Sequence, residues 1–207
     1  MNKTNRKKGK FITFEGPEGS GKSTQAKLLV RYLKSKGQKA IFLREPGGTV
    51  IGEKIRGLLL NKKNSDICPM TEMLLYMAAR AQVIQEVIKP QLREGYFVVC
   101  DRFLDSTLVY QGRGLGVNLS LIKHLGNFLI RETKPDLTIF LDVSVKRGLA
   151  VRGRLRKLDR IEERSISYHQ RVRRGYIKLV SKYPKRIKVI KPHKDKNKTQ
   201  DKIRKLI

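Results

Sequence analysis

The stretch FITFEGPEGSGKSTQAKLL, residues 11–29, decides the fold that we expect for this chain. Its first residues, Phe11–Phe14, form a short apolar run typical of a buried strand, and the apolar spacing after Lys22 is typical of a helix. Between them, residues 16–23 match the pattern G-x-x-x-x-G-K-[ST] in the strand–loop–helix context that this motif requires. The sequence therefore predicts a phosphate-binding loop (P-loop) for a nucleoside triphosphate.

The residue types of the P-loop suit that role. Glycines let successive backbone N–H groups point inward around a phosphate, and the helix N-terminus adds partial positive charge. We expect Lys22 to reach the β- and γ-phosphates of the nucleotide and the Ser23 hydroxyl to ligate Mg²⁺. The predicted nucleotide-binding residues are Gly16, Pro17, Glu18, Gly19, Ser20, Gly21, Lys22, Ser23 and Thr24.

Short apolar runs alternate with helical patterns along the rest of the chain. Strands are predicted at residues 10–15, 39–43, 96–100, 137–141 and 186–190, and helices at 22–36, 50–60, 70–93, 104–110, 119–132 and 166–183. This alternation indicates an α/β fold, a five-stranded parallel sheet with helices on both faces. Ligands bind such sheets beyond the carboxyl ends of the strands. Glu15, Arg44-Glu45, Asp101-Arg102 and Asp142 all fall there.

Composition limits the class of protein. With 207 residues, 39% of them hydrophobic, residues 10–207 are expected to form a single domain. No apolar run is long enough for a membrane span, and the basic N-terminal segment, residues 1–9, looks disordered and lacks the apolar part of a secretory signal. Cys68 and Cys100 make no disulfide framework, so we expect a reducing, cytoplasmic setting.

The net charge of +29 is unusual. A basic field attracts phosphate-bearing partners, either nucleotides or nucleic acid, but a basic proteome or a solvated surface is the simpler explanation of the charge. The chain has no RNP-like motif, no zinc-finger spacing and no internal repeat. We therefore do not expect nucleic acid as a partner.

Three clusters narrow the class of P-loop protein. Asp101, which closes a strand, can hold a metal-bound water, and Arg102 beside it can bridge the phosphates of a donor and an acceptor. Arg44 and Glu45 put a second charged pair at a strand end, although an ordinary turn with a surface ion pair has the same pattern. Residues 147–164 are dense in arginine, which suits a mobile lid over a triphosphate or a solvated basic helix.

Four segments together resemble the bacterial thymidylate kinases: FEGPEGSGKST (14–24), REPGGT (44–49), LLYMAAR (74–80) and DRFLDSTLVYQG (101–112). The resemblance extends from about residue 10 to residue 206, with LDRIE (158–162) placed after the lid. It implies the reaction ATP + dTMP → ADP + dTDP for dTTP synthesis, dependence on Mg²⁺, and a homodimer formed through helices. Met70, Met73, Leu74 and Met77 supply an apolar stripe for such a dimer, unless the stripe is simply core.

The resemblance also implies roles for individual residues. Tyr76 would stack on thymine with Arg80 beside the base and the phosphates, and Tyr110 would lie against the 2′ side of the acceptor sugar. Arg56, Thr107 and Gln111 would read the thymine edge, while Arg44, Glu45 and Arg102 would hold the acceptor phosphate and the metal region. Ser23 and Asp101 are the implied metal ligands, and the implied catalytic residues are Lys22, Arg102, Glu18, Arg154 and Arg156.

The chain departs from some relatives at one functional position. Where they carry a catalytic arginine inside the P-loop, this chain has Gly19, so it resembles the type that supplies arginines from the lid. Arg152, Arg154 and Arg156 are the candidates, and the sequence leaves open which one engages the donor. The competing interpretations are another small-molecule P-loop kinase, a nucleic-acid-binding P-loop protein, and a noncatalytic dimeric scaffold.

Overall fold

A computed structural model describes residues 9–155 and 157–207, which contain one sheet of five parallel strands. The strands are β1 (Lys10–Glu15), β2 (Ala40–Arg44), β3 (Phe97–Asp101), β4 (Leu137–Leu141) and β5 (Ile187–Ile190). Their order across the sheet, β2-β3-β1-β4-β5, places the P-loop strand at the centre. The predicted five-stranded α/β fold is confirmed.

Helices connect the strands and cover the sheet. The α-helices are α1 (Lys22–Ser35), α2 (Val50–Leu60), α3 (Pro69–Val83), α4 (Lys89–Arg93), α5 (Leu104–Thr107), α6 (Leu119–Leu129), α7 (Val145–Leu155), α8 (Ile166–Lys182) and α9 (Lys196–Arg204). None of the helices in the described part of the chain is long and apolar enough to cross a membrane.

The central strand is buried on both faces because its alternate side chains enter two different cores. Phe11, fully buried, packs in a cluster with residues of α3 and α6. Ile12 and Phe14 point the other way and pack in a cluster with residues of α1. The polar residues at the carboxyl ends of the parallel strands therefore lie close together at one edge of the sheet.

Two helical segments differ from the sequence prediction. The predicted helix 70–93 contains a π-helical turn, Ile84–Ile88, that ends two residues before Pro90. Proline lacks the backbone N–H that a regular helix needs at this position. The predicted helix 104–110 is α-helical only to Thr107 and continues as a π-helix, Leu108–Gly114. π-Helical turns often occur at functional sites, and this one carries two residues predicted to bind substrate.

The described chain begins one residue inside the segment predicted to be disordered. Gly9 is buried, and its N–H donates to the carbonyl oxygen of Leu92 at 3.1 Å. The rest of that segment, residues 1–8, lies outside the described residues.

Candidate active site

A cavity of about 930 Å³ opens at the carboxyl ends of β1, β2 and β3. One end is lined by the P-loop, and the other by residues of α2, α3 and the π-helix. Helix α7 and the segment after it form a third side. The predicted site residues that line the cavity are Glu18, Gly19, Gly21, Lys22, Ser23, Thr24, Arg44, Glu45, Arg56, Tyr76, Asp101, Arg102, Tyr110 and Gln111.

Lys22 occupies the centre of the P-loop. Its ammonium donates to the carbonyl oxygens of Gly16 at 3.0 Å and Pro17 at 2.8 Å, and the residue is only 7% exposed. Burial and the nearby Arg102 lower the pKa of Lys22 to about 8, although Glu18 acts in the opposite direction. The loop thus holds a buried cation where phosphate charge would arrive.

Ser23 and Asp101 lie together at the rim of the P-loop. The Ser23 hydroxyl donates to Oδ2 of Asp101. The other carboxylate oxygen of Asp101, Oδ1, is buried and accepts no hydrogen bond from the described residues. A hydroxyl beside an unpartnered carboxylate oxygen fits a hard divalent cation, which takes oxygen ligands.

Arg102 crosses the middle of the cavity. Its backbone is left-handed, with φ of 73°, and its N–H donates to the Phe14 carbonyl at 2.9 Å. A non-glycine residue in this conformation is strained, and such residues cluster at functional sites. The guanidinium donates to Glu18 Oε1 at 2.7 Å, and the Tyr110 hydroxyl donates to the same oxygen at 2.7 Å. This triangle joins the P-loop to the opposite wall of the cavity.

The charge of Glu18 depends on that triangle. Burial raises the pKa of this carboxyl, but the cations Arg102 and Lys22 outweigh it and hold the pKa at about 2. Glu18 is therefore a carboxylate throughout the neutral range.

Glu45 is held from behind by a buried arginine. Arg80 Nε donates to Glu45 Oε2 at 2.8 Å, and both side chains are at most 2% exposed. Arg80 also donates to Thr107 Oγ1 at 2.9 Å. Burial raises the pKa of Glu45 to about 7, with Arg80 opposing the rise. Oε1 of Glu45 is buried without a hydrogen-bond partner among the described residues.

This arrangement places two predicted substrate-binding residues behind the cavity wall. Arg80 and Thr107 do not line the cavity, whereas Glu45 does. The physical reason is that a buried carboxylate needs a paired cation, and Arg80 supplies it. Arg80 is therefore linked to the cavity through its ion pair with Glu45.

The far end of the cavity combines an aromatic ring with two polar groups. Tyr76, Arg56 and Gln111 line it. Arg56 donates to the Pro46 carbonyl at 3.0 Å, and the Gln111 amide nitrogen donates to Glu72 Oε1 at 2.9 Å. These three residues form a pocket suited to a flat ring with polar edges, which we call the base pocket.

Of the three candidate lid arginines, the structure describes two, Arg152 and Arg154, and they differ in position. Arg152 lines the cavity, and its Nε donates to Glu162 Oε1 at 2.6 Å. Arg154 is exposed and does not line the cavity. Arg156, another predicted catalytic residue, lies outside the described residues.

Sequence reasoning missed two acidic residues, Glu162 and Glu72, that pair with arginines of the segment 147–164. Glu162 belongs to the LDRIE segment and pairs with Arg152. Glu72 lies one helical turn before Tyr76, so the i, i+4 spacing placed it on the same helix face as that aromatic residue. It is fully buried and binds two arginines, Arg160 and Arg164.

A P-loop on the central strand and a second pocket across the same cavity define a P-loop nucleotide kinase. The family model for thymidylate kinase matches residues 14–203, and the chain belongs to the thymidylate kinase family. It is 46% identical over 195 residues to a thymidylate kinase of Thermoanaerobacter sp. (strain X514), covering 91% of this chain and 95% of the relative. It is 47% identical over 204 residues to that of Protochlamydia amoebophila (strain UWE25), covering 95% and 89%. The crystal structure of thymidylate kinase from Ehrlichia chaffeensis superposes with a TM-score of 0.79 at 34% identity, over 96% of this chain and 98% of the other.

Proposed function

We propose that this protein transfers the γ-phosphoryl group of ATP to dTMP and releases dTDP and ADP. The observation that carries the proposal is that one cavity joins the P-loop to the base pocket, with Arg102 between them. Family membership supports the same reaction. A phosphate oxygen of dTMP would attack the γ-phosphorus of ATP, and the bond from the γ-phosphorus to the β-phosphate oxygen would break.

The donor site is proposed on the P-loop. Its backbone N–H groups would surround the β-phosphate, and the Lys22 ammonium would neutralise charge on the β- and γ-phosphates. Arg102 would contact the phosphates of both substrates, where charge develops during transfer. We propose that Arg152, which lines the third side of the cavity, contacts the donor phosphates.

We also propose that Mg²⁺ is the cofactor and that Ser23 and Asp101 hold it. Oδ1 of Asp101, which has no hydrogen-bond partner among the described residues, supports this assignment. When bound, the ion would neutralise phosphate charge and orient the donor. Asp101 and Ser23 already contact each other, so the protein supplies both oxygens from fixed elements.

The acceptor site is proposed in the base pocket. Thymine would stack on Tyr76, and its polar edge would meet Arg56 and Gln111. The family resemblance would put Tyr110 at the 2′ side of the sugar. Its ring is held in place because its hydroxyl donates to Glu18 and the Arg102 guanidinium carbon lies 4.6 Å from the ring centre. A 2′-hydroxyl would meet a ring that cannot easily move.

A homodimer is proposed through α2, α3 and α6. The predicted apolar stripe divides: Met73 and Met77 are core, while Met70 and Leu74 are 43% and 47% exposed. Phe128 on α6 is 78% exposed, and α6 packs beside α3. The exposed apolar groups lie mainly on these three helices, as a protein interface requires. We further propose a single-domain, cytoplasmic enzyme that does not bind nucleic acid.

A steady-state assay with ATP, Mg²⁺ and a panel of nucleoside monophosphates tests this function. We expect dTMP to give the highest kcat/KM, followed by dUMP, then ribo-TMP and dCMP. Preference for a different monophosphate would make the protein another small-molecule kinase. Filter binding of RNA and DNA at varied salt tests the remaining alternative, because phosphate-driven binding weakens steeply as salt rises.

A further inference from the structure

A buried charge cluster lies directly behind the base pocket. Glu72, fully buried, accepts hydrogen bonds on Oε2 from Arg160 and from Arg164, each at 2.6 Å. Its Oε1 accepts from the Gln111 amide nitrogen at 2.9 Å and from Arg164 at 3.3 Å. One carboxylate thus binds two guanidinium groups and one residue of the base pocket.

The two arginines fix the carboxylate in place. Arg160 also donates to the Leu59 carbonyl at 2.8 Å, at the end of α2, and Arg164 donates to the Tyr168 hydroxyl at 3.0 Å, on α8. With these partners, neither oxygen of Glu72 can turn away from Gln111 without breaking charge-assisted hydrogen bonds. Both arginines lie in the sequence after helix α7, so the segment between α7 and α8 supports the base pocket.

The cluster decides which way the Gln111 amide faces. A carboxylate held by two guanidinium groups can only accept hydrogen bonds, so the amide nitrogen must point to Glu72. The amide oxygen is then the atom left toward the cavity that Gln111 lines. A rotated amide would put oxygen against oxygen and leave both atoms without a donor.

We propose that Glu72 is a positioning residue that sets base specificity by making Gln111 present an acceptor. Thymine and uracil carry an N3–H donor that matches this oxygen, whereas cytosine has an unprotonated N3 that does not. This inference deepens the proposed function and rests on it. Glu72 itself would not touch the substrate; it would act only through the orientation of Gln111.

The variant Glu72→Gln tests the proposal, because an amide at position 72 can donate as well as accept. Gln111 could then turn and present its amide nitrogen to the base. We expect the ratio of kcat/KM for dTMP to that for dCMP to fall by at least about tenfold, with the KM for ATP unchanged. Glu86→Gln, an exposed change further along the same helical segment, is the matched control and should keep the wild-type ratio.

A double-mutant cycle separates positioning from simple structural support. Gln111→Ala removes the side chain that is proposed to contact the base. In that background, adding Glu72→Gln should cause no further change in the dTMP:dCMP ratio of kcat/KM. An equal loss for both nucleotides in the single variant Glu72→Gln would overturn the proposal. If that variant does not fold, Glu72→Asp keeps the negative charge but shortens the side chain by one methylene, which should weaken its hydrogen bond with Gln111. A folded Glu72→Asp protein with the wild-type ratio would also overturn the proposal. A wild-type protein that does not phosphorylate dTMP would instead refute the proposed function.

Discussion

Gly19 in the P-loop lies directly against Gly148 in helix α7. A Cβ atom on Gly19 would come 2.0 Å from the carbonyl oxygen of Gly148, and one on Gly148 would come 2.1 Å from the carbonyl oxygen of Glu18. Gly19 also has a positive φ of 65°, which disfavours any side chain there. The loop and the lid helix therefore touch backbone to backbone. This contact gives a physical reason why an arginine is excluded at position 19 of the P-loop.

The first prediction concerns that contact. Gly148→Ala should push α7 away from the P-loop, because the new methyl group would meet backbone that cannot rotate aside. We expect kcat/KM for ATP to fall by roughly tenfold or more, since misplacement by about 1 Å can cost about 100-fold. Gly153→Ala, in the same helix and with open space at its Cβ, is the matched control and should retain wild-type kinetics. Equal kinetics for the two variants would contradict the coupling of loop and lid.

The second prediction concerns Lys22. Lys22→Ala should lose nearly all phosphoryl transfer and remain folded, because the ammonium neutralises phosphate charge and its burial is costly to the fold. Lys34→Ala, an exposed lysine of the same helix, should keep normal turnover. Near-normal turnover by a folded Lys22→Ala protein would refute the assignment of residues 16–23 as the P-loop that binds the donor phosphates.

Lys22 also gives a pH prediction. Its pKa in the folded protein is about 8, below the ordinary value of 10.5, so between these values the unfolded chain binds more protons than the folded one. Stability from this group therefore rises as pH increases through that range. The free energy of unfolding of the wild type, measured by urea denaturation, should increase relative to that of Lys22→Ala as the pH is raised from 8 to 10.5. A difference independent of pH would show that the pKa of Lys22 is not lowered.

The elements and the P-loop could be predicted because their signals are local. A strand such as Phe97–Asp101 and a motif of eight consecutive residues depend on neighbours in sequence. The pairing of Arg80 with Glu45 could not be predicted, since it joins residues 35 positions apart whose relative orientation is set by packing. The same holds for Glu72, whose buried charge is stabilised by arginines 88 and 92 positions away.

The fourth prediction concerns Arg102, which lies between the proposed donor and acceptor sites. Arg102→Ala should lower kcat and kcat/KM together, with a smaller change in the KM for ATP, because an interaction strongest in the transition state has this kinetic signature. Arg113→Ala, an exposed arginine of the nearby π-helix, serves as the control. A change confined to the KM for ATP would make Arg102 a binding residue and exclude the bridging role.

The last prediction concerns the proposed dimer and Phe128. An aromatic ring that is 78% exposed loses little packing when it is replaced in a monomer, so Phe128→Glu should change the free energy of unfolding of an isolated chain by only about 0.5 kcal/mol or less. At a dimer interface the same change buries a charge, and the dimer should dissociate. Light scattering at micromolar protein should give twice the chain mass of 23.8 kDa for the wild type and the chain mass itself for Phe128→Glu.

A second surface supplies the control for this experiment. Ile177 is 42% exposed on α8, outside the three proposed interface helices, so Ile177→Glu introduces the same charge elsewhere and should leave the dimer intact. Dissociation by both variants would indicate general destabilisation, which a shared fall in Tm would reveal. A wild-type mass of one chain would refute the dimer. A Phe128→Glu protein that stays dimeric would show that α6 does not form the interface.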